Sequence, residues 1–179
     1  HVQSVDPMSV PSLHDVDKVW SCASSWRPHK RLSENIRYFI EHAGSHDALV
    51  IAGENVDVAV PDHRIFWTGK LDYATLLTLY RASDYFLHLA WLDHCPNVVV
   101  DARGAGAHII CASSGGTAEV AGLNSTIIDE DEWEPGPCEL YKPPQLDFSR
   151  KRPGSIDNSI DIRDVAKQYE ACLMAAMGI

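Results

Sequence analysis

Three short stretches of this chain combine residue types that could do chemistry. The first, Ser24-Ser25-Trp26-Arg27-Pro28-His29-Lys30-Arg31, holds three cations within five positions. An arginine can bond two oxygens of an anion at once and a lysine adds a mobile point charge, so such a loop suits a diphosphate. The same pattern also describes a solvated helix start whose cations pair with Glu34. The second stretch runs Trp91-Leu92-Asp93-His94-Cys95-Pro96-Asn97 and continues through Val98 to Asp101. Proline at the first helical position leaves the early N–H groups free, and with the helix dipole they make an anion site, so Pro96, Asn97 and Val98 are candidates for holding a phosphate. Asp93 falls just before that helix and Asp101 about one turn into it, where each could accept bonds from hydroxyls. Two aspartates at this spacing also fit a helix cap plus a solvated carboxylate. The third stretch, Ser113-Ser114-Gly115-Gly116-Thr117, pairs glycines that would admit a ligand close to the backbone or simply form a tight turn.

These loops need a scaffold that brings them together. Apolar runs predict strands at Lys18–Ser24, Ala48–Ala52, Arg64–Thr68, Asp84–Leu89, Ala107–Ala112 and Ser125–Ile128. Helical spacing joins Leu32, Ile36, Phe39 and Ile40, then Leu76, Leu77, Leu79 and Tyr80, while a third helix runs from Pro96 to about Ala105. Buried strands separated by helices of about ten residues predict an α/β, Rossmann-like three-layer domain with a parallel sheet of about six strands. In such a sheet the chemistry collects beyond the carboxyl ends of the strands, where all three loops fall. The reading divides the chain into a linker or hinge over 1–17, the Rossmann-like domain over 18–133, an irregular proline-rich excursion over 134–160, and a helix over 161–179. The excursion is expected to contain no buried element. The last helix, carrying Val165, Tyr169, Cys172 and Leu173 on one stripe behind a possible Asp161 cap, is expected to dock on the sheet.

Composition narrows the function. Fifteen basic residues against 25 acidic give a formal charge of −10 in 179 residues, which opposes binding to a nucleic-acid backbone. No apolar stretch approaches the ~20 residues that cross a bilayer. Five cysteines, Cys22, Cys95, Cys111, Cys138 and Cys172, are widely spaced without a C-x-x-C pair, so a disulfide framework or zinc site is not expected and a reducing cytoplasm is. No Asp-x-Asp motif or His/carboxylate grouping at ligand spacing is found on a plausible loop, so no metal is expected; the acidic run Asp129–Glu132 reads as solvated. The chain opens at His1 with no signal peptide, and we read it as a fragment.

Taken in order, Trp26-Arg27-Pro28-His29-Lys30-Arg31, Phe66-Trp67-Thr68-Gly69-Lys70-Leu71, Asp93…Pro96-Asn97…Asp101-Ala102…Gly106 and Ser114-Gly115-Gly116…Glu119 resemble the donor-binding half of GT-B glycosyltransferases, especially retaining enzymes of family 4. The resemblance covers about Val19–Ile128 and is most specific from Thr68 to Glu119. It implies transfer of a hexose from a nucleoside-diphosphate sugar to a glycan or other acceptor. The family's Glu-x7-Glu motif places one carboxylate near the donor sugar and the other on the ribose; the matching positions are Asp93 and Asp101, at the same spacing and one methylene shorter. The family's diphosphate-holding arginine and lysine carry over to Arg27 and Lys30, with Arg31 as a substitute, although the usual spacing puts the arginine at Ser25.

The resemblance further implies a nucleobase on the backbone near Thr68, Gly69 and Lys70, and Gly115 and Gly116 lining the pocket. It implies an amino-terminal acceptor domain that this chain lacks, through which any peripheral membrane contact would run, and no cofactor beyond the nucleotide-sugar substrate. Arg27, Lys30 and the Pro96–Val98 helix start would then stabilise the leaving diphosphate electrostatically. Among His29, His88, His94 and His108, weighed as bases, His94 beside Asp93 could reach a sugar hydroxyl and His108 reads as an interior histidine. A GT-B-shaped epimerase or hydrolase fragment, and a degenerate non-catalytic module, are the alternatives.

Overall fold

In the computed structural model of the chain, residues 16–54, 62–131, 139–158 and 161–177 are described. The expected linker, apart from its last two residues, Asp131's neighbours up to Cys138, and the start of the excursion lie outside them. Seven strands form one sheet: β1 (Val19–Ala23), β2 (Ala48–Ala52), β3 (Ile65–Gly69), β4 (Tyr85–His88), β5 (His108–Ala112), β6 (Ser125–Ile128) and β7 (Lys151–Pro153). Their order is β3-β2-β1-β4-β5-β6-β7, and every pairing is parallel except the antiparallel β6–β7 edge. Among the described residues, five α-helices, α1 (Leu32–His42), α2 (Tyr73–Ala82), α3 (Asn97–Ala105), α4 (Thr117–Ala121) and α5 (Ile162–Met177), accompany the sheet.

Alternation along each strand sorts side chains to two faces. Trp20, Cys22, Leu49, Ile51, Leu87, Leu89 and Ile110 join Leu32, Ile36 and Phe39 of α1 in one core. Ala23, Phe86, Ile109, Cys111 and Ile127 join Tyr80, Val99, Ala102 and Ala121, from α2, α3 and α4, in the other. This is the expected three-layer, Rossmann-like α/β domain. The strand order turns back between β1 and β4, so the loops that follow these two strands diverge there and open a crevice at the sheet's carboxyl edge.

Three expectations need correction. The excursion does bury residues: Leu146 and Phe148 are 5% and 6% exposed and belong to the core on the α1 face. Phe148 stands edge-on to Tyr38 at 4.9 Å, and the Arg37 guanidinium lies over its ring at 3.8 Å. Arg37 also donates to the Leu146 carbonyl at 2.7 Å, so α1 satisfies the backbone that comes down on it. The same segment then supplies the seventh strand, β7. Finally, α5 forms over the expected residues, yet none of its side chains is buried, and Tyr169 and Leu173 are 69% and 62% exposed. Its apolar stripe does not dock on the sheet; the ground beside α1 is taken by Leu146 and Phe148.

Candidate nucleotide-sugar site

The loop after β1 carries the three cations, and the fold sends them to different places. Ser24 N–H continues the β1–β2 ladder to the Ala52 carbonyl, and the Trp26 indole N–H donates to the same carbonyl at 3.0 Å. Trp26 is thereby laid against Gly53, where φ is +132° and an added Cβ would fall 2.1 Å from the Ser24 carbonyl oxygen, so only glycine is accommodated. Arg27 is left exposed, with no ion pair or side-chain hydrogen bond among the described residues. Pro28–Lys30 then closes a single 3-10 turn, with Lys30 N–H bonded to the Arg27 carbonyl at 2.8 Å.

Arg31 turns inward. It is 2% exposed, and its guanidinium donates to Glu130 at 2.6 Å, to the Pro144 carbonyl at 2.8 Å and to the Leu89 carbonyl at 3.4 Å. Its expected substitute role at a diphosphate is therefore corrected: Arg31 cross-links the loops after β1, β4 and β6. Glu34, read as a partner for the loop cations, pairs with Arg37 instead.

A cavity of about 510 Å³ opens over the carboxyl ends of β1, β2 and β3. Its walls are Ala23, Ser24, Ser25 and Arg27 from the first loop, Ala52, Gly53 and Glu54 from the second, Lys70, Leu71 and Leu76 from the third loop and α2, and Val98 from the start of α3. Of the expected site residues, it gathers Arg27, Lys70 and Val98. Thr68 and Gly69 lead into it: the Gly69 carbonyl accepts from Gly53 N–H at 2.9 Å and the Thr68 hydroxyl donates to the Ile51 carbonyl at 3.3 Å. Pro96 is buried and stands at the cap position, so α3 begins one residue later than expected, at Asn97. Asp101, in α3, accepts from the Tyr73 hydroxyl at 3.3 Å and is not part of the cavity wall.

Lys30, Asp93 and His88 form a second group at the crevice. Lys30 Nζ and His88 Nε2 both bond to Asp93 Oδ2, the latter at 2.8 Å. A carboxylate only accepts here, so His88 carries its proton on Nε2. His88 is 4% exposed, and burial lowers its pKa, against the pull of Asp93. The His88 hydrogen bond is the main cause holding the Asp93 carboxyl far below the usual carboxylate range, with Lys30 adding to it. Two further contacts weld the loops after β1 and β4: Trp91 N–H donates to the His29 carbonyl at 2.7 Å, and the buried Asn35 amide donates to the Arg31 carbonyl at 2.8 Å while its oxygen accepts from Leu89 N–H.

Gly115 and Gly116 meet this loop rather than the cavity. Gly115 is in a parallel bridge with Asp93, Gly116 N–H donates to the Asp93 carbonyl at 2.9 Å, and an added Cβ would fall 2.5 Å from the Asp93 carbonyl oxygen and 2.4 Å from that of His94, respectively. They let two loops pack rather than line the pocket. His94 itself is exposed. His88 and Asn35 join the site without being expected there in these roles; the signal for His88 is a polar side chain ending an otherwise apolar strand five positions before Asp93. Among the described residues no group of three or more His, Cys, Asp or Glu side chains is arranged to hold a metal ion, and no helix is long and apolar enough to cross a membrane.

No protein-family model matches the sequence, and no curated protein matches it. Solved structures do match in fold. Anabaena HepE in complex with UDP and glucose aligns with a TM-score of 0.55 at 18% identity, covering 67% of this chain and 36% of that one. WaaG, a glycosyltransferase involved in lipopolysaccharide biosynthesis, aligns with 0.53 at 18%, covering 64% and 34%. A UDP-forming α,α-trehalose-phosphate synthase from Burkholderia xenovorans, in complex with glucose-6-phosphate, aligns with 0.51 at 15%, covering 63% and 33%. The chain thus shares a Rossmann-like fold with one part of each of these proteins and spans about a third of their length.

Proposed function

We propose that this chain is the donor-binding part of a retaining GT-B glycosyltransferase of the family 4 type, taking a nucleoside-diphosphate sugar and passing a hexose to a glycan or other acceptor held by a separate domain. The observation that carries this reading is the cavity at the carboxyl edge of β1–β3, where Arg27 and Lys70 bring positive charge to an overall acidic chain beside the start of α3. Two cations and a helix amino terminus suit a diphosphate, and the solved structures that share the fold include one in complex with UDP. The base would lie against the backbone at Thr68, Gly69 and Lys70, and Asp101 would turn to the ribose. Asp93 keeps Oδ1 for the donor sugar, since both of its partners use Oδ2. As the sugar–phosphate bond breaks, Arg27, Lys30 and the α3 start with Asn97 and Val98 stabilise the negative charge that gathers on the leaving diphosphate, so the step needs no metal or other cofactor. The cytoplasm, where nucleotide sugars are at hand, is the proposed setting.

A second reading, a degenerate module without donor chemistry, is favoured by one observation: both shortened carboxylates already have partners, Asp93 with Lys30 and His88, and Asp101 with Tyr73. A thermal-shift screen with UDP, GDP, ADP and their sugars separates the two, because a ligand that binds only the folded chain raises its melting temperature. One nucleotide family should shift it, and no shift with any of them favours the degenerate module. Residues 1–179 by themselves should transfer no sugar at a useful rate, because a donor-binding part alone does not position an acceptor.

A further inference from the structure

The Lys30–Asp93–His88 group has one member with a long, freely rotating stem, Lys30. Asp93 is fixed from behind: its carbonyl accepts from Gly116 N–H, its backbone bridges Gly115, and a side chain on either glycine would collide with this loop. His88 is fixed by its strand and by burial, lying parallel to Phe86 at a centroid distance of 6.4 Å. Lys30 has its backbone held in the 3-10 turn, N–H to the Arg27 carbonyl and carbonyl accepting from the Asn35 amide, but its charge sits at the end of a four-carbon stem in a side chain 17% exposed. A lysine can swing its charge without moving the chain. Three residues earlier Arg27 stands in the cavity wall.

We propose that Asp93 is the counter-ion which Lys30 exchanges for the diphosphate of an incoming nucleotide, and that His88 is a positioning residue that holds the carboxylate in place once Lys30 has left. In the free chain Asp93 neutralises Lys30, so that Arg27 and Lys70 meet the ligand first. When the ammonium turns to the phosphates, a part-buried carboxylate would be stranded unless another donor stayed on it, and His88 Nε2–H, already on the same oxygen, is that donor. No bond other than hydrogen bonds and ion pairs is exchanged. This rests on the diphosphate reading of the cavity and gives Asp93 a duty that reading does not contain.

The test is a calorimetric titration of UDP and, separately, of inorganic pyrophosphate into the chain and its variants. Asp93→Asn should bind both ligands about fivefold more tightly, because the competing carboxylate is gone, and that gain should vanish in a Lys30→Ala background. His88→Phe should weaken both about threefold by leaving Lys30 as the sole partner of Asp93, and His88→Gln, which keeps an N–H donor, should restore them; a purely structural histidine would not be rescued in binding. Weaker or unchanged binding by Asp93→Asn overturns the exchange, and so does a gain that survives undiminished without Lys30, since that is plain repulsion. Should Asp93→Asn not fold, the Phe and Gln variants decide by the same rescue. If pyrophosphate shows the pattern while UDP binds no better than pyrophosphate, the exchange stands and the nucleotide reading falls. If neither ligand binds any variant, both fall.

Discussion

Arg27 and Arg31 sit four residues apart in one loop and do opposite work. Arg27 faces open solvent at the cavity, whereas Arg31 is sealed under the returning chain with a glutamate and two carbonyls. The turn between them makes the difference: Pro28–Lys30 reverses the chain, and Arg31 takes φ 49° to enter α1. A run of cations in a sequence is therefore not one site. The outward charge is available to a ligand, and the inward charge ties together the loops after β1, β4 and β6.

The sharpest way to break this comparison is to remove the inward charge. Arg31→Ala strands Glu130 in the interior, and loss of one partner from a buried pair costs about 3–5 kcal/mol, so denaturant unfolding should shift by that amount or the chain should fail to fold. Arg27→Ala should stay within about 0.5 kcal/mol of the parent. Comparable stability losses at the two positions would contradict the division between them.

The returning segment itself can be tested next. Phe148→Ala removes a ring packed on Tyr38 and beneath Arg37 and should cost about 3 kcal/mol, at the lower end for a buried phenylalanine because the site lies at the edge of the core. A negligible loss would mean that this segment does not pack on α1.

A smaller effect comes from pH. Burial lowers the pKa of His88, and of His29, relative to an unfolded histidine near 6.5, so the unfolded chain binds more protons as pH falls and stability drops below that value. The depressed carboxyl of Asp93 acts in the same direction below about 3.8. Unfolding midpoints should therefore decline from pH 7.5 to 5.5, and less steeply in His88→Gln. A decline of equal slope in that variant would remove His88 as its source.

What the sequence could and could not say follows from these same residues. The six parallel strands announce themselves because buried strands are continuous apolar runs, and Ala48–Ala52 and Ser125–Ile128 fall at the expected bounds. Lys151-Arg152-Pro153 carries no apolar run and all three residues are exposed, so only its ladder to β6 makes it a strand. Leu146 and Phe148 stand among prolines with no period to mark them. The α5 stripe is legible as an apolar face, but a period never names what covers it. At the site, the loops were legible as positions beyond strand ends. Which side chains bond one another was not, because the Lys30–Asp93 and Arg31–Glu130 contacts join residues 63 and 99 positions apart.

The proposed diphosphate site lies at the outward part of the cationic loop, at Arg27. Titration of UDP and of uridine into the chain and into Arg27→Ala tests it most directly. The account predicts that UDP binds the parent chain much more tightly than uridine does, and that Arg27→Ala loses about tenfold or more in UDP affinity with uridine affinity and melting temperature unchanged. UDP and uridine binding the parent equally, or Arg27→Ala weakening both alike, would contradict it.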